Sequence, residues 1–171
     1  MPLKQDYPGQ QVGNPQPDVI LSRDPAIDQV TLRAAGYAGG KIMAVITSLT
    51  AGRGMVIVPC DGSVLANLPY GTLINGCGNY AESIGPSGSG KMPVVRAFPI
   101  FRLTNDPVEP DCFEASPTTA YTIGCPLYAD GTAGHLGRWT SDIPVVGAHV
   151  CGICTHIPTA AEPFLGVTQT F

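Results

Sequence analysis

Charge is what this chain has least of. Of its 171 residues only 13% are Asp, Glu, Lys or Arg, against about 25% in typical soluble proteins. The formal net charge is −4, and the nine basic residues (Lys4, Arg23, Arg33, Lys41, Arg53, Lys91, Arg96, Arg102 and Arg138) are scattered along the sequence. No basic cluster is there to track a phosphate backbone, which argues against nucleic acid as a partner. Long apolar runs are missing as well, with no window approaching the roughly eighteen residues of a membrane span. The opening MPLKQDYPGQ has no apolar signal core. Together these absences predict no membrane partner and synthesis in the cytoplasm. Also missing is any capped apolar stripe of 3.6-residue period, so a mainly helical fold is not expected.

What the chain does have is 44% hydrophobic residues, 21 glycines and 17 prolines. The apolar share is enough for one domain to bury a core. Glycine and proline together are nearly twice their usual ~12%. The balance predicts an all-β fold, a small β-barrel or β-tulip-like or sandwich body, with long ordered connections. A surface so poor in charge suggests partial cover by other subunits. Six cysteines are present: Cys60, Cys77, Cys112, Cys125, Cys151 and Cys154. With no signal core and a chain this long, they read as reduced, buried thiols rather than a disulfide framework.

Residues Met1–Asp28 form a region of their own, with prolines at 2, 8, 15, 17 and 25. Proline fixes φ and removes a donor, so most of this stretch reads as an extended arm outside any central sheet. Its apolar residues Leu3, Tyr7, Val12, Val19, Ile20 and Leu21 are candidate interface positions, since a purely solvated tail has no use for them. Residues 29–171 read as a single β-rich domain. Gln29–Ala34 alternates as a half-buried strand. Lys41–Thr47 and Met55–Cys60 are short branched runs expected as buried strands, with a turn at Ala51–Gly54. Gly62–Ser89 is weakly periodic and reads as one long excursion. Val94–Leu103 alternates again. Strand-like segments follow at Ala120–Ile123, Pro126–Tyr128, His135–Thr140, Pro144–His156 and Phe164–Thr170.

Two motifs invite a chemical reading. Gly85, Gly90 and Lys91 fit the phosphate-cradling spacing G-x-x-x-x-G-K, but Met92 stands where a magnesium-binding hydroxyl belongs. Pro93 and the alternating sequel predict a strand after it, not a helix, so the motif reads as a hairpin turn. Cys151-Gly-Ile-Cys154-Thr-His156 could supply zinc ligands, with Cys125 as a fourth. Cys151 and Cys154 are an odd number apart, so a strand would point them to opposite faces. Pairing Cys154 with His149 or His156 as a thiol–imidazole couple has only sequence proximity behind it. Glu109, Asp111 and Glu114 sit in a Pro-containing loop and read as a solvated rim, at most a weak site for a hard cation. No cofactor is expected, and no catalytic constellation emerges.

The segment Ala120–Val167 resembles the C-terminal part of the small decoration, or cement, proteins on tailed-bacteriophage capsids. The likeness lies in a strand ending G-x-x-hydrophobic-Tyr (Gly124–Tyr128), a Gly-containing turn (Ala129–Gly134) and a polar strand. A strand of the form V-G-x-h-x-G (Val146–Gly152) and a closing strand (Phe164–Val167) complete it. It covers under a third of the chain, and Gly62–Ser89 has no counterpart in it. The resemblance implies a non-enzymatic structural protein at the virion surface, a homotrimer bound to the major capsid protein, with the arm lashing neighbours together. Two alternatives stand beside it. One is another virion component, such as a head-fibre base or tail-associated β protein. The other is a small metal or thiol enzyme using Cys151, Cys154 and His156.

Overall fold

The computed structural model describes residues 9–12, 19–23, 39–47, 55–65, 67–73, 91–95, 100–105 and 111–170. Every regular element among them is a strand. In chain order they are β1 (Gly9–Val12), β2 (Val19–Arg23), β3 (Ile42–Thr47), β4 (Met55–Pro59), β5 (Pro69–Leu73) and β6 (Lys91–Val95), then β7 (Ile100–Thr104), β8 (Pro126–Ala129), β9 (Trp139–Thr140), β10 (Gly152–His156) and β11 (Phe164–Gln169). The all-β expectation holds for this part of the chain.

Two sheets result. One has six strands in the order β1-β7-β11-β10-β8-β9. The other pairs β2-β4-β3-β5-β6, and β6 returns to β2, so its pairing closes on itself. Neighbours in both are antiparallel except β2 and β4, which run parallel. In β3, Ile42, Met43 and Ala44 are all fully buried. A continuous apolar run covered on both faces is what the branched sequence IMAVIT asks for.

The sheets share one core. Ile42, Ala44 and Cys60 from the closed sheet pack with Leu103, Leu127, Trp139, Cys151, Cys154, Leu165 and Val167 around the six-stranded one. Trp139, the chain's single tryptophan, is wholly buried, and its indole N–H donates to Gly40 O at 2.7 Å just ahead of β3. Thr72 on β5 donates to the Gln169 side chain on β11. Gly137 completes the join. Its N–H donates to Cys60 O and its carbonyl accepts from Ile42 N–H, both at 2.8 Å. It holds φ at 72°, and a Cβ there would stand 2.5 Å from Ile42 O. Only glycine fits so close an approach in that conformation.

Several sequence expectations need correction. The arm is not wholly outside the sheets. Gly9–Val12 pairs along β7, and Val19–Arg23 sits between β4 and β6. Prolines 15 and 17 flank β2 without entering it, so the donors it needs remain. The excursion Gly62–Ser89 contains β5, whose Thr72 and Leu73 are fully buried. Its PYGTL has a glycine and a proline in five residues, which hid it. The single strand expected over Val94–Leu103 is two strands in different sheets. Alternation survives a change of sheet, so period alone could not reveal the break. A strand does follow the G-x-x-x-x-G-K spacing, but it starts at Lys91 itself rather than at Val94. Further on, residues 141–151 are bends and turns, leaving only Gly152–His156 of the expected Pro144–His156 as strand. Ala120–Ile123 is not a strand, and His135–Thr140 contributes only Trp139 and Thr140. The segments 29–34, 51–54 and 85–90 lie outside the described residues.

Candidate functional site

Beside the shared core lies a corner where few charges do much of the organising. Asp111 adopts φ of 73°, a left-handed conformation that aspartate tolerates better than most side chains. Its carboxylate takes Lys41 Nζ at 2.9 Å and His135 Nδ1 at 2.8 Å on one oxygen, and Arg138 Nη1 at 2.9 Å on the other. Arg138 spans further. Its Nε donates to Asp130 Oδ2 at 3.0 Å, its Nη2 reaches the same oxygen, and Glu114 Oε1 lies 3.2 Å from Nη2. Thr140 closes the set by donating to Glu114 Oε2 at 2.6 Å. Lys41 is itself buried.

Electrostatics follow the geometry. Burial alone would raise the Asp111 pKa. Hydrogen bonds from His135 and Lys41, with the charges of Lys41 and Arg138, outweigh it and hold the group below its ordinary value. At Asp130 burial again opposes, while the Thr132 hydroxyl and amide and the Arg138 guanidinium prevail, and its pKa is lowered. Tyr121 goes the other way, pushed up first by burial and then by the Glu114 charge. Its hydroxyl donates to Glu114 O at 2.9 Å.

A cleft of about 360 Å³ opens against this corner, lined by Asp61, Glu114, Asp130 and Asp142 with Thr132, Thr140, Pro144 and Val145. Its carboxylates are already engaged. Asp61 accepts from Ser63 N–H and Asn67, and Asp142 accepts from the N–H groups of Thr118 and Thr119. The cleft is structured by internal bonds rather than left with free ligands.

One rim of the cleft is apolar. Residues 61–65 and 141–150 run side by side: a Cβ at Gly62 would meet Pro144 at 3.1 Å, and His149 Nε2 lies 3.1 Å from Val64 O. Gly62 holds φ of 71° with Ala129 O where a side chain would go, which pins the first loop to the end of β8. These anchored loops carry Leu65 at 93% exposure and Val146 at 99%, with Ile143, Val145 and Leu68 also exposed. Single exposed aliphatics are ordinary, but four on two adjoining loops, with Leu68 a little further along the chain, concentrate apolar surface in the way that contact surfaces do.

The sequence candidates scatter. Cys151 and Cys154 both enter the core, but in different company. Cys154 lies beside Cys125 of the adjoining strand, its N–H donating to Cys125 O at 2.9 Å, whereas Cys151 N–H donates to Leu127 O at 2.7 Å. His156 turns from both, stacking on Phe164 at 4.0 Å and meeting Glu162 at 2.8 Å. Among the described residues no group of three His, Cys, Asp or Glu is placed to hold a metal ion. Asp111 and Glu114 are not a solvated rim, as the sequence suggested, but members of the ion-pair network. Glu109, Leu3 and Tyr7 lie outside the described residues. Val12 falls in β1, and Val19, Ile20 and Leu21 fall in β2.

Sequence reasoning missed the rest of the corner. Lys41 and Arg138 counted as dispersed bases and as members of expected strands, and Asp130 only as part of a turn. An available signal was the Asp-Gly step at 130–131 followed by an arginine eight residues after the aspartate, which a short hairpin brings back alongside it. In the resemblance, Pro126–Tyr128 of the first motif falls in β8, while Gly124 turns the chain ahead of it, and Phe164–Val167 falls in β11. Val146–Gly152 does not form its expected strand, since Gly147 turns the chain at φ of 84°. Compared with protein-family models, curated protein sequences and solved structures, the chain matched none.

Proposed function

We propose that the chain is a structural protein of a virion, a decoration protein that docks on the outer capsid surface of a tailed phage and stabilises the head. In this reading it is not an enzyme. The closed sheet and its six-stranded partner form the small barrel or tulip-like body, the protein acts as a trimer, and its partner is the major capsid protein. The observation that carries the reading is the exposed aliphatic set Leu65, Leu68, Ile143, Val145 and Val146, most of it on loops anchored by the close approach at Gly62 and by the His149–Val64 contact. Preformed loops lose little freedom on docking, so burying their aliphatic side chains is offset by little ordering cost. The partial likeness of Gly124–Tyr128 and Phe164–Val167 to decoration proteins supports the same conclusion. Leu3 and Tyr7, which precede β1 in the sequence, then serve contacts with neighbouring subunits.

The test is occupancy of shells assembled without the chain. Wild type should saturate the shells and raise their resistance to heat. A Leu65→Asp, Val146→Asp variant should keep the wild-type circular dichroism and melting curve, yet lose binding by a hundredfold or more. Each deleted contact removes about 1.5–3 kcal/mol of apolar burial. Failure of wild type to bind, or equal occupancy by the variant, would overturn the proposal.

A further inference from the structure

Cys125 and Cys154 face one another across neighbouring strands. The register of β8 against β10 pairs Leu127 with Gly152 and Pro126 with Ile153, and one step further sets Cys125 opposite Cys154. Backbone bonds hold the two residues side by side just beyond the end of the ladder, where Gly124 rather than Cys125 returns the second bond. Cys154 N–H donates to Cys125 O at 2.9 Å and Gly124 N–H donates to Cys154 O at 2.8 Å. Directly opposed residues of antiparallel strands have Cα atoms about 4.5–5.5 Å apart, inside the ~4.4–6.8 Å that a disulfide spans. Cys154 Sγ itself is directed to His156 O at 3.5 Å, and the neighbouring Cys125 thiol helps to raise its pKa after burial. Both are free in this structure, and they differ in access: Cys154 is 1% exposed, while Cys125 is partly open to solvent.

We propose that Cys125 is a site of reversible thiol modification that Cys154 resolves into a Cys125–Cys154 disulfide, with low-molecular-weight disulfides such as oxidised glutathione as the co-substrate class. The Cys125 thiolate attacks one sulfur of the small disulfide. That S–S bond breaks, one glutathione leaves as a thiol, and Cys125 carries the other as a mixed disulfide. Cys154 Sγ, its proton passed to solvent, then attacks Cys125 Sγ and expels the second glutathione as a thiol. Two protein thiols are oxidised and one small disulfide is reduced to two thiols. The order follows from access, because the buried Cys154 cannot meet the reagent first. Desolvation, which pushes its thiol up to about 11, keeps it a thiol until the mixed disulfide is beside it.

The other described thiols lack this arrangement. Cys60, Cys112 and Cys151 are wholly buried, so a small disulfide in solvent cannot meet them first, whereas Cys154 has the partly exposed Cys125 beside it on the adjoining strand. The loop that the bond closes contains Ile143, Val145 and Val146, so oxidation would tie down the base of the apolar rim. The inference itself does not depend on what that rim binds.

The full chain, purified reduced, is equilibrated with graded ratios of reduced to oxidised glutathione and trapped with an alkylating reagent. Its peptides are then mapped by mass. The expected product is one crosslinked Cys125–Cys154 peptide, formed while Cys60, Cys112 and Cys151 remain thiols. The oxidised chain should melt roughly 5–10 °C higher, and the rise should vanish on adding dithiothreitol. Cys154→Ser should stop at the first step, with glutathione retained on Cys125, whereas Cys125→Ser should leave Cys154 unmodified. Persistent thiols at 125 and 154 under fully oxidised glutathione would overturn the proposal. So would glutathione on Cys154 in the Cys125→Ser chain, or a first crosslink between Cys60 and Cys151.

Discussion

Arg138 shows how one side chain can matter out of proportion in a charge-poor protein. It faces Asp111, Asp130 and Glu114 with only 13% of its side chain exposed. Replacing it by Met would keep the stem and deprive all three carboxylates of their shared guanidinium. We expect a loss of about 2–4 kcal/mol at pH 7 in denaturant unfolding, toward the range for breaking a buried pair. The pH profile should identify the cause. Asp111 and Asp130 have folded pKa values below the ordinary 3.8, so the unfolded chain binds more protons in acid. Their contribution is complete well above pH 3.8 and is lost as pH falls through the lowered folded values. The gap between wild type and Arg138→Met should therefore be widest near neutrality and shrink below about pH 4. A gap that stays constant down to pH 2 would detach Arg138 from these carboxylates. Trp139 offers a second reading at this scale. Trp139→Phe retains most of the apolar volume but leaves Gly40 O without its buried donor, and should cost about 1–3 kcal/mol. Circular dichroism can follow the unfolding once the only indole is gone.

Elements join here through glycines whose roles differ, and the difference can be measured. Gly137 and Gly134 both have positive φ, 72° and 86°. A Cβ at Gly134 meets nothing within 4 Å, whereas one at Gly137 would strike Ile42 O. Gly134→Ala should thus cost only the conformational strain, about 1 kcal/mol. Gly137→Ala should cost at least twice that, because β3 must move away from the six-stranded sheet. Equal melting temperatures for the two variants would refute the close-approach account. The same elements show what a sequence discloses. β3 and β4 were legible because branched apolar runs bounded by glycine leave few alternatives. β5 was not, because PYGTL carries turn residues and owes its place to pairing with β3 and β6. The charge corner was illegible for a related reason. Lys41, Asp111 and Arg138 are far apart in the chain, and no local pattern reports a meeting made by the fold. Nor could composition reveal the apolar rim, since exposure at Leu65 and Val146 depends on which loops the glycines fix outward.

At the scale of the molecule, the N-terminal segment tests how far an apparent arm belongs to the body. Its two described pieces have different standing. Gly9–Val12 lies along the outer side of β7 as an edge strand, paired on one side. Val19–Arg23 has partners on both sides, β4 in parallel and β6 antiparallel, and closes the ring. Removing residues 1–14 should therefore uncover only the β7 edge. Such a chain should stay folded, with the same circular dichroism and a melting temperature within a few degrees of wild type. Removing residues 1–24 takes β2 as well and leaves β4 and β6 with unpaired N–H and C=O groups facing each other across a gap. Open edges of this kind recruit other chains, so the shorter protein should aggregate at concentrations where the 1–14 deletion remains soluble. A synthetic peptide of residues 15–28 added during refolding should restore solubility if the lost strand is the cause. Light scattering during refolding, with and without the peptide, decides the matter. If both truncations behave alike, β2 is no part of what closes the ring, and the whole segment reverts to a detachable arm.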